Sequence, residues 1–236
     1  MYVLGIESAT PVAAVAVTDR EGVLAERMVR NNRTHSVNLL PMIKAVLADA
    51  EISRDSLSGI AVSTGPGSFT GLRIGMSIAK TLAQVWNLLI VGVSTLETMA
   101  HALVGHNRLV CPIMNARKNE VYTAVYDYRD NIGVLLMPHQ AARAEDLIEK
   151  LTQWQKPVTF LGDGVPIYQD LLREGLGEMA AFAPLAHAYP RGGVVAELGL
   201  AALAQGKGVS PMELQPEYIR FSEAEVLWRK KQNAGG

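Results

Sequence analysis

A chain of 236 residues, 49% apolar and 19% charged, is long enough for one large domain or two small ones with a real core. Its net charge of −1 excludes a global basic field able to hold nucleic acid unaided. A single cysteine excludes an internal disulfide and suits a reducing compartment. The N-terminus MYVLGIESAT has no basic region and carries Glu7 within its apolar stretch, which argues against a signal peptide. The longest uncharged apolar segment, about 81–96, contains Gln84 and Asn87 and changes from helical to strand character midway, so it is not a membrane span. The expectation is a soluble cytoplasmic protein.

Three strands open the chain: Tyr2–Ile6, Val12–Val17 after the turn ESATP, and Val23–Val29 after DREG. Residues 36–50 place Leu39, Leu40, Ile43, Val46 and Leu47 at helical spacing, with Pro41 bending the first turn or delaying the regular helix to about Leu40. A strand at 59–64, the turn GPGSFTGLRIG at 65–75, a helix at 71–86, a strand at 88–93 and a helix from Ser94 to about Leu103 follow. After a crossover near 103–108 come strands Leu109–Met114, Val121–Tyr128 and Ile132–Met137, a helix at 144–154, a strand Val158–Leu161 and a helix at 166–175. Cys111 lies in the run LVCPIM as a buried strand residue. Pro190–Gln205 reads as a last helix and QGKGVSPMELQPEYIRF as an extended stretch. The end, EAEVLWRKKQNAGG, reads as a short helix whose Arg229, Lys230 and Lys231 form a solvated basic tail.

The order βββαβα thus occurs twice, although the halves share negligible residue similarity. Two such α/β units facing each other resemble the plan of the actin-like ATPase (ASKHA, RNase H-like) superfamily. That plan implies lobes at 1–105 and 106–236, with a ligand held between them at the turns of the first hairpins. Whether the last helix and tail return to the first lobe is open at this level.

Two stretches carry the chemistry. In the glycine turn, Gly65 and Gly67 stand between a buried strand and a helix, where glycines permit positive φ and close backbone approach, and where a helix N-terminus can receive an anion. The alternative reading is that these glycines only let strand and helix pack closely. In helix 71–86 the polar residues Arg73, Ser77, Lys80, Thr81 and Gln84 form one narrow stripe, and the remaining arc is wider than one sheet can cover. The first helix is similarly two-faced. Either the two helices cover only each other, or together they present an apolar patch to another subunit.

LGIESATPVAAVAV, THSVNLLPMI, GPGSFTGLRIGMSIAKTLA, VGVSTLETMA, NARKNEVY and PEYIR, in that order along nearly the whole chain, resemble the bacterial TsaB (YeaZ) family. This family looks like a degenerate paralogue of TsaD, the actin-like subunit that transfers threonylcarbamoyl to adenosine 37 of tRNAs reading ANN codons. The resemblance implies a non-catalytic partner of TsaD in making N6-threonylcarbamoyladenosine, with TsaE as a further partner. It also implies a homodimer when the chain is alone, and tRNA contact only through the complex. The implied partner-binding residues are Leu39, Met42, Ile43 and Val46 on the first helix and Leu72, Met76, Ala79 and Ala83 on the second.

Departures from the TsaD pattern point away from catalysis. TsaD-like proteins hold a metal through an HxxxH pair where VSTLETM here places Thr95 and Met99, a weak and a soft donor, so no metal is expected. His35, His101, His106, His139 and His187 offer no substitute and read as surface or packing residues. Labels of such relatives as metallopeptidases would require the missing pair. The second phosphate-gripping turn, Gly-rich in TsaD, is Asn115–Glu120 here and has no glycine, so its backbone is not expected to wrap a phosphate. Asn115 stands where the family usually has Asp. Glu7, Ser8 and Thr10 in the first turn, with Gly65, Gly67, Gly162 and Gly164, form at most a vestigial nucleotide site. Glu7 equally reads as a turn cap, and Gly162 and Gly164 as the end of a strand before a helix. No catalytic residue and no cofactor are expected. The rival is an active ATP-dependent phosphotransferase or ATPase using Glu7, Thr10 and the glycine turn.

Overall fold

The computed structural model of the chain describes residues 1–31, 33–129 and 132–220. The basic tail with Arg229, Lys230 and Lys231 lies outside the described residues.

In the first half, β1 (Tyr2–Glu7), β2 (Ala13–Thr18) and β3 (Val23–Val29) form an antiparallel meander, followed by α1 (His35–Asp49), β4 (Leu57–Gly65), α2 (Phe69–Trp86), β5 (Leu89–Ser94) and α3 (Thr95–His101). The second half runs β6 (Leu109–Asn115), β7 (Glu120–Arg129), β8 (Ile132–Arg143), α4 (Ala144–Trp154), β9 (Val158–Leu161), α5 (Val165–Leu176), β10 (Ala180–Phe182) and α6 (Gly192–Ala204). The repeated unit is therefore longer than the expected βββαβα: each half runs on through a strand and a helix, giving βββαβαβα, and of these added elements only β10 was not expected. The three-residue β10 is too short to carry a sequence signal.

The two five-stranded sheets share one order, β3-β2-β1-β4-β5 and β8-β7-β6-β9-β10. In each, the first strand pairs antiparallel with the second (Leu4↔Val17; Val110↔Tyr126) and parallel with the fourth (Ile6↔Val62; Val110↔Thr159). β1 and β2 are buried almost throughout because both faces are covered, so they read as unbroken apolar runs. β8 continues past its expected end at Met137 to Arg143. Pro138 is tolerated there because β8 is an edge strand and its ladder shifts register between the Val125↔Met137 and Thr123↔Gln140 pairs.

The helices do not respect the division at 105/106. α1 and α2 cover one face of the first sheet, and α4 and α5 cover the outer face of the second. α3, from the first half, and the turn after it bury Leu96, Met99, Ala100 and Leu103 against Val110, Met114, Ala124 and Tyr126 of the second sheet. α6, from the second half, lies on the free face of the first sheet, where Val195 joins Val3, Ala61, Val91 and Val93. Small residues bring α6 this close: a Cβ at Gly5 would meet Ala196 N at 2.6 Å. Glu26 on β3 fixes its entry by accepting from Gly193 N at 3.0 Å and pairing with Arg191. The last helix of each half thus crosses to the other half's sheet.

α1 runs unbroken from His35 through Pro41, so the proline neither shortens it nor delays it to Leu40. α2 begins two residues before its expected start, where Ser68 caps it by accepting from Gly71 N at 3.2 Å, and ends on Asn87 in the left-handed region (φ 52°). No helix among the described residues is long and apolar enough to cross a membrane.

Candidate functional site

Turns at the ends of β1 and β4 pack together in the first lobe, and turns at the ends of β6 and β9 in the second. The first two close on each other. Glu7 is fully buried at the end of β1: Oε1 accepts from Ala9 N at 2.6 Å, and Oε2 accepts the Ser63 hydroxyl of β4. Burial pushes its carboxyl up to about 7, against the opposing effect of these bonds. The Ser8 hydroxyl donates to Gly71 O at 2.9 Å, and Thr10 Oγ1 accepts from Val12 N at 3.2 Å. Ser68 N, at the mouth of α2, donates to Ala9 O at 2.7 Å. A Cβ at Gly67 would fall on the Ala9 carbonyl, and one at Gly71 on the Ser8 carbonyl.

The glycines therefore admit the chain's own first turn into the place where an anion would be cradled. Glu7 acts as the turn cap, its oxygens spent on Ala9 and Ser63. Gly65 (φ 124°) faces the carbonyl of Glu217, from the segment that follows α6.

On the second lobe, Gly162 (φ 119°) and Gly164 let the β9–α5 turn lie against the Ile113 carbonyl, to which Gly164 N donates at 3.1 Å. Between them Asp163 accepts from Asn115 N at 2.9 Å, so a carboxylate stands beside Asn115. Burial raises the Asp163 carboxyl, and the charge of Arg30 from the first lobe lowers it in part. The β6–β7 hairpin shows what backbone this turn takes without glycine. Without any glycine, Arg117, Lys118 and Asn119 take φ of 61°, 54° and 60°, held as Glu120 N donates to Arg117 O at 3.1 Å and Ala116 N to Glu120 O at 2.9 Å. Lack of glycine did not prevent a left-handed backbone there.

Thr95 and Met99 are both buried in α3, with Met99 in the core that seats this helix on the second sheet. Among the described residues no group of three or more His, Cys, Asp or Glu is placed to hold a metal. His35 docks α1 on the first turn, its Nε2 2.9 Å from Thr10 O. His106 lies beyond the end of α3, so it does not share a helix with His101.

The eight residues expected to bind a partner are not at a surface. Leu39, Met42, Ile43, Val46, Leu72, Met76, Ala79 and Ala83 are all buried within this chain. Leu39, Met42, Ile43, Val46, Ala79 and Ala83 sit in the core between the two helices and the first sheet. The apolar side chains these helices expose are others: Val37 (54%), Leu40 (50%) and Val85 (69%), with Ile74, Ile78 and Leu82 half-buried beside them. Helical spacing told which residues share a face but not which of two apolar faces the sheet would take.

Sequence reasoning also missed a cluster of side chains between the lobes. Burial first, and the negative charge of Glu97 second, hold the Tyr126 hydroxyl far above its ordinary pKa, and it is hydrogen-bonded to His139 Nε2 at 2.8 Å. His139 Nδ1 then donates to Glu217 Oε1 at 3.2 Å. Glu217 and Arg220 belong to the PEYIR motif, which alone could have drawn attention to this stretch.

Fold and turns together define a two-lobed protein of the actin-like ATPase class whose ligand-facing turns are packed against the chain itself. A family model described as "TsaD: tRNA N6-adenosine threonylcarbamoyltransferase" matches residues 22–228. "tRNA threonylcarbamoyladenosine biosynthesis protein TsaB" of Bacillus subtilis (strain 168) is 32% identical over 232 residues, 98% of this chain and 100% of the relative. The Escherichia coli (strain K12) protein of the same name is 31% identical over 237 residues, 98% of each chain. A Pseudomonas aeruginosa structure described as "an uncharacterized protein with similarity to peptidase YEAZ" superposes with TM-score 0.81 at 23% identity, covering 93% of this chain and 99% of that one. The chain belongs to the TsaB (YeaZ) family.

Proposed function

We propose that the chain serves the formation of N6-threonylcarbamoyladenosine in tRNA as a non-catalytic partner subunit of a TsaD-type transferase. The observation that carries this reading is the closure of the first turn onto the glycine turn, which spends Glu7, Ser8 and the Ser68 N–H on the chain's own structure. The rival phosphotransferase needs Glu7 and Thr10 at a ligand, and both are buried. The family's names supply the tRNA product. The docking surface we assign is the outer face of α1 and α2, through Leu40, Ile78 and Val85 rather than the buried residues beneath them. TsaE would join the larger assembly, tRNA would be met only through the complex, and the same face would pair two copies when the chain is alone in the cytoplasm.

The test is threonylcarbamoyl transfer reconstituted with purified TsaD-type transferase, TsaE, tRNA and threonylcarbamoyladenylate. Omitting the chain is expected to abolish transfer or nearly so. Leu40→Glu with Ile78→Glu should mimic the omission while the isolated fold persists, and Glu7→Gln should leave transfer within about twofold, since a group that touches no reacting atom loses no transition-state contact. Loss of transfer by Glu7→Gln in an intact complex would overturn the non-catalytic reading.

A further inference from the structure

The segment after α6 is extended and crosses from one lobe to the other. It starts on the first sheet, where Val209 exchanges backbone bonds with Ile90 of β5 at 2.9 and 3.0 Å. Lys80 of α2 then donates to Leu214 O at 2.9 Å, and the Leu214 side chain lies over Gly92. Glu217 N donates to Thr64 O of β4 at 2.8 Å. The Tyr218 ring packs on Phe69 with centroids 4.7 Å apart, and its hydroxyl accepts from Arg73 Nε at 3.0 Å. Arg73 itself lies 3.8 Å over the Phe69 ring.

Two residues of the same stretch, Glu217 and Arg220, reach the second lobe. The Glu217 carboxylate reaches His139 on β8. Arg220 donates to Ala116 O at 2.8 Å, pairs with Glu120 and lies 5.9 Å over the Tyr122 ring. Glu217 to Arg220 thus stitch the glycine turn to the β6–β7 hairpin, the two turns that face each other where an actin-like protein holds its ligand. A charge-assisted bond, an aromatic contact and a backbone bond on one lobe are set against four contacts on the other, to His139, the Ala116 carbonyl, Glu120 and the Tyr122 ring. A segment this short cannot stay bonded to both if the lobes separate, because each residue spans at most about 3.6 Å.

We infer that residues 214–220 are an intrachain clasp, filling the mouth of the cleft and holding the lobes in a single closed arrangement. Lobe opening in this class of fold is a hinge motion about a ligand, and here a piece of the chain takes the ligand's place. The clasp makes the closed form the resting form without a nucleotide. This inference needs no partner subunit and stands or falls apart from the proposed function.

The test uses the full chain with spin labels at Thr81→Cys on α2 and Lys150→Cys on α4, both exposed, while the buried Cys111 stays unlabelled. The unsubstituted clasp should give one narrow interlobe distance. Tyr218→Ala with Arg220→Ala should broaden it toward longer values and speed amide exchange in residues 115–122 by about tenfold or more, leaving β1 and β4 protected. Arg220→Gln alone, which leaves every first-lobe anchor in place, is measured beside it and decides by the same criterion if the double variant does not fold. Unchanged distances and unchanged exchange in the folded variant would overturn the clasp.

Discussion

Glu7 offers the sharpest test of where the first turn points. Its carboxyl lies wholly inside the first lobe, and burial raises its pKa from 4.5 to about 7. The native state therefore keeps a proton that the unfolded chain releases between these two values. Stability from this group is full below pH 4.5 and is lost as pH rises through about 7. The size of the loss follows from the shift: two and a half units at about 1.36 kcal/mol each give about 3 kcal/mol between acid and mildly alkaline pH. Glu7→Gln removes the titration and keeps the shape. It also costs one hydrogen bond, from Ala9 N or from Ser63, and that offset of about 1 kcal/mol does not vary with pH. The assay is urea unfolding of both proteins at several values from about pH 5 to about pH 8. Subtracting the two curves cancels every other titrating group. The variant should gain on the parent by about 2.5 kcal/mol across that range, since part of the effect is already spent at pH 5. A flat difference, or one that moves the other way, would mean that Glu7 is ionised in the fold and available to a cation, and would undo the closed-turn reasoning.

Met76 is only 5% exposed under α2, so Met76→Glu should cost about 3 kcal/mol or more and unfold the isolated chain, seen as lost helical circular dichroism, whereas Leu40→Glu should cost less than about 1 kcal/mol. Equal stability of the two variants would contradict the assigned faces. Gly67→Ala places a methyl group on the Ala9 carbonyl and should lower stability by about 1–3 kcal/mol with a reduced urea midpoint; an unchanged midpoint would show a looser turn than described. Among the described residues the fully buried Thr95 hydroxyl has no hydrogen-bond partner, so Thr95→Val should raise the melting temperature, by an amount equivalent to about 1 kcal/mol. A drop instead would mean that the hydroxyl has a partner.

Much of this protein is legible in the sequence because its signals are local. Apolar runs bounded by turn residues located β1, β2, β4 and β6, and the spacing in GPGSFTGLRIGMSIAKTLA located α2 to within two residues. The doubled strand and helix order named the actin-like plan, and the motif series from LGIESAT to PEYIR named the family. What the sequence left open depends on which surfaces meet. Helices α1 and α2 each carry more apolar residues than one contact needs, and only the sheet beneath them decided that Leu39, Met42, Val46 and Ala79 go inside while Leu40 and Val85 stay out. Gly67 reads equally as a phosphate cradle or a packing allowance, and the choice fell to Ala9, which lies 58 positions earlier in the chain and occupies the space. The crossing of α3 and α6 to opposite sheets, and the stitching of Tyr218 and Arg220 to separate lobes, pair residues far apart in the chain. A single sequence carries the propensity of each segment, but the free energy of such contacts exists only once both partners are brought together, so the tertiary structure alone decided them.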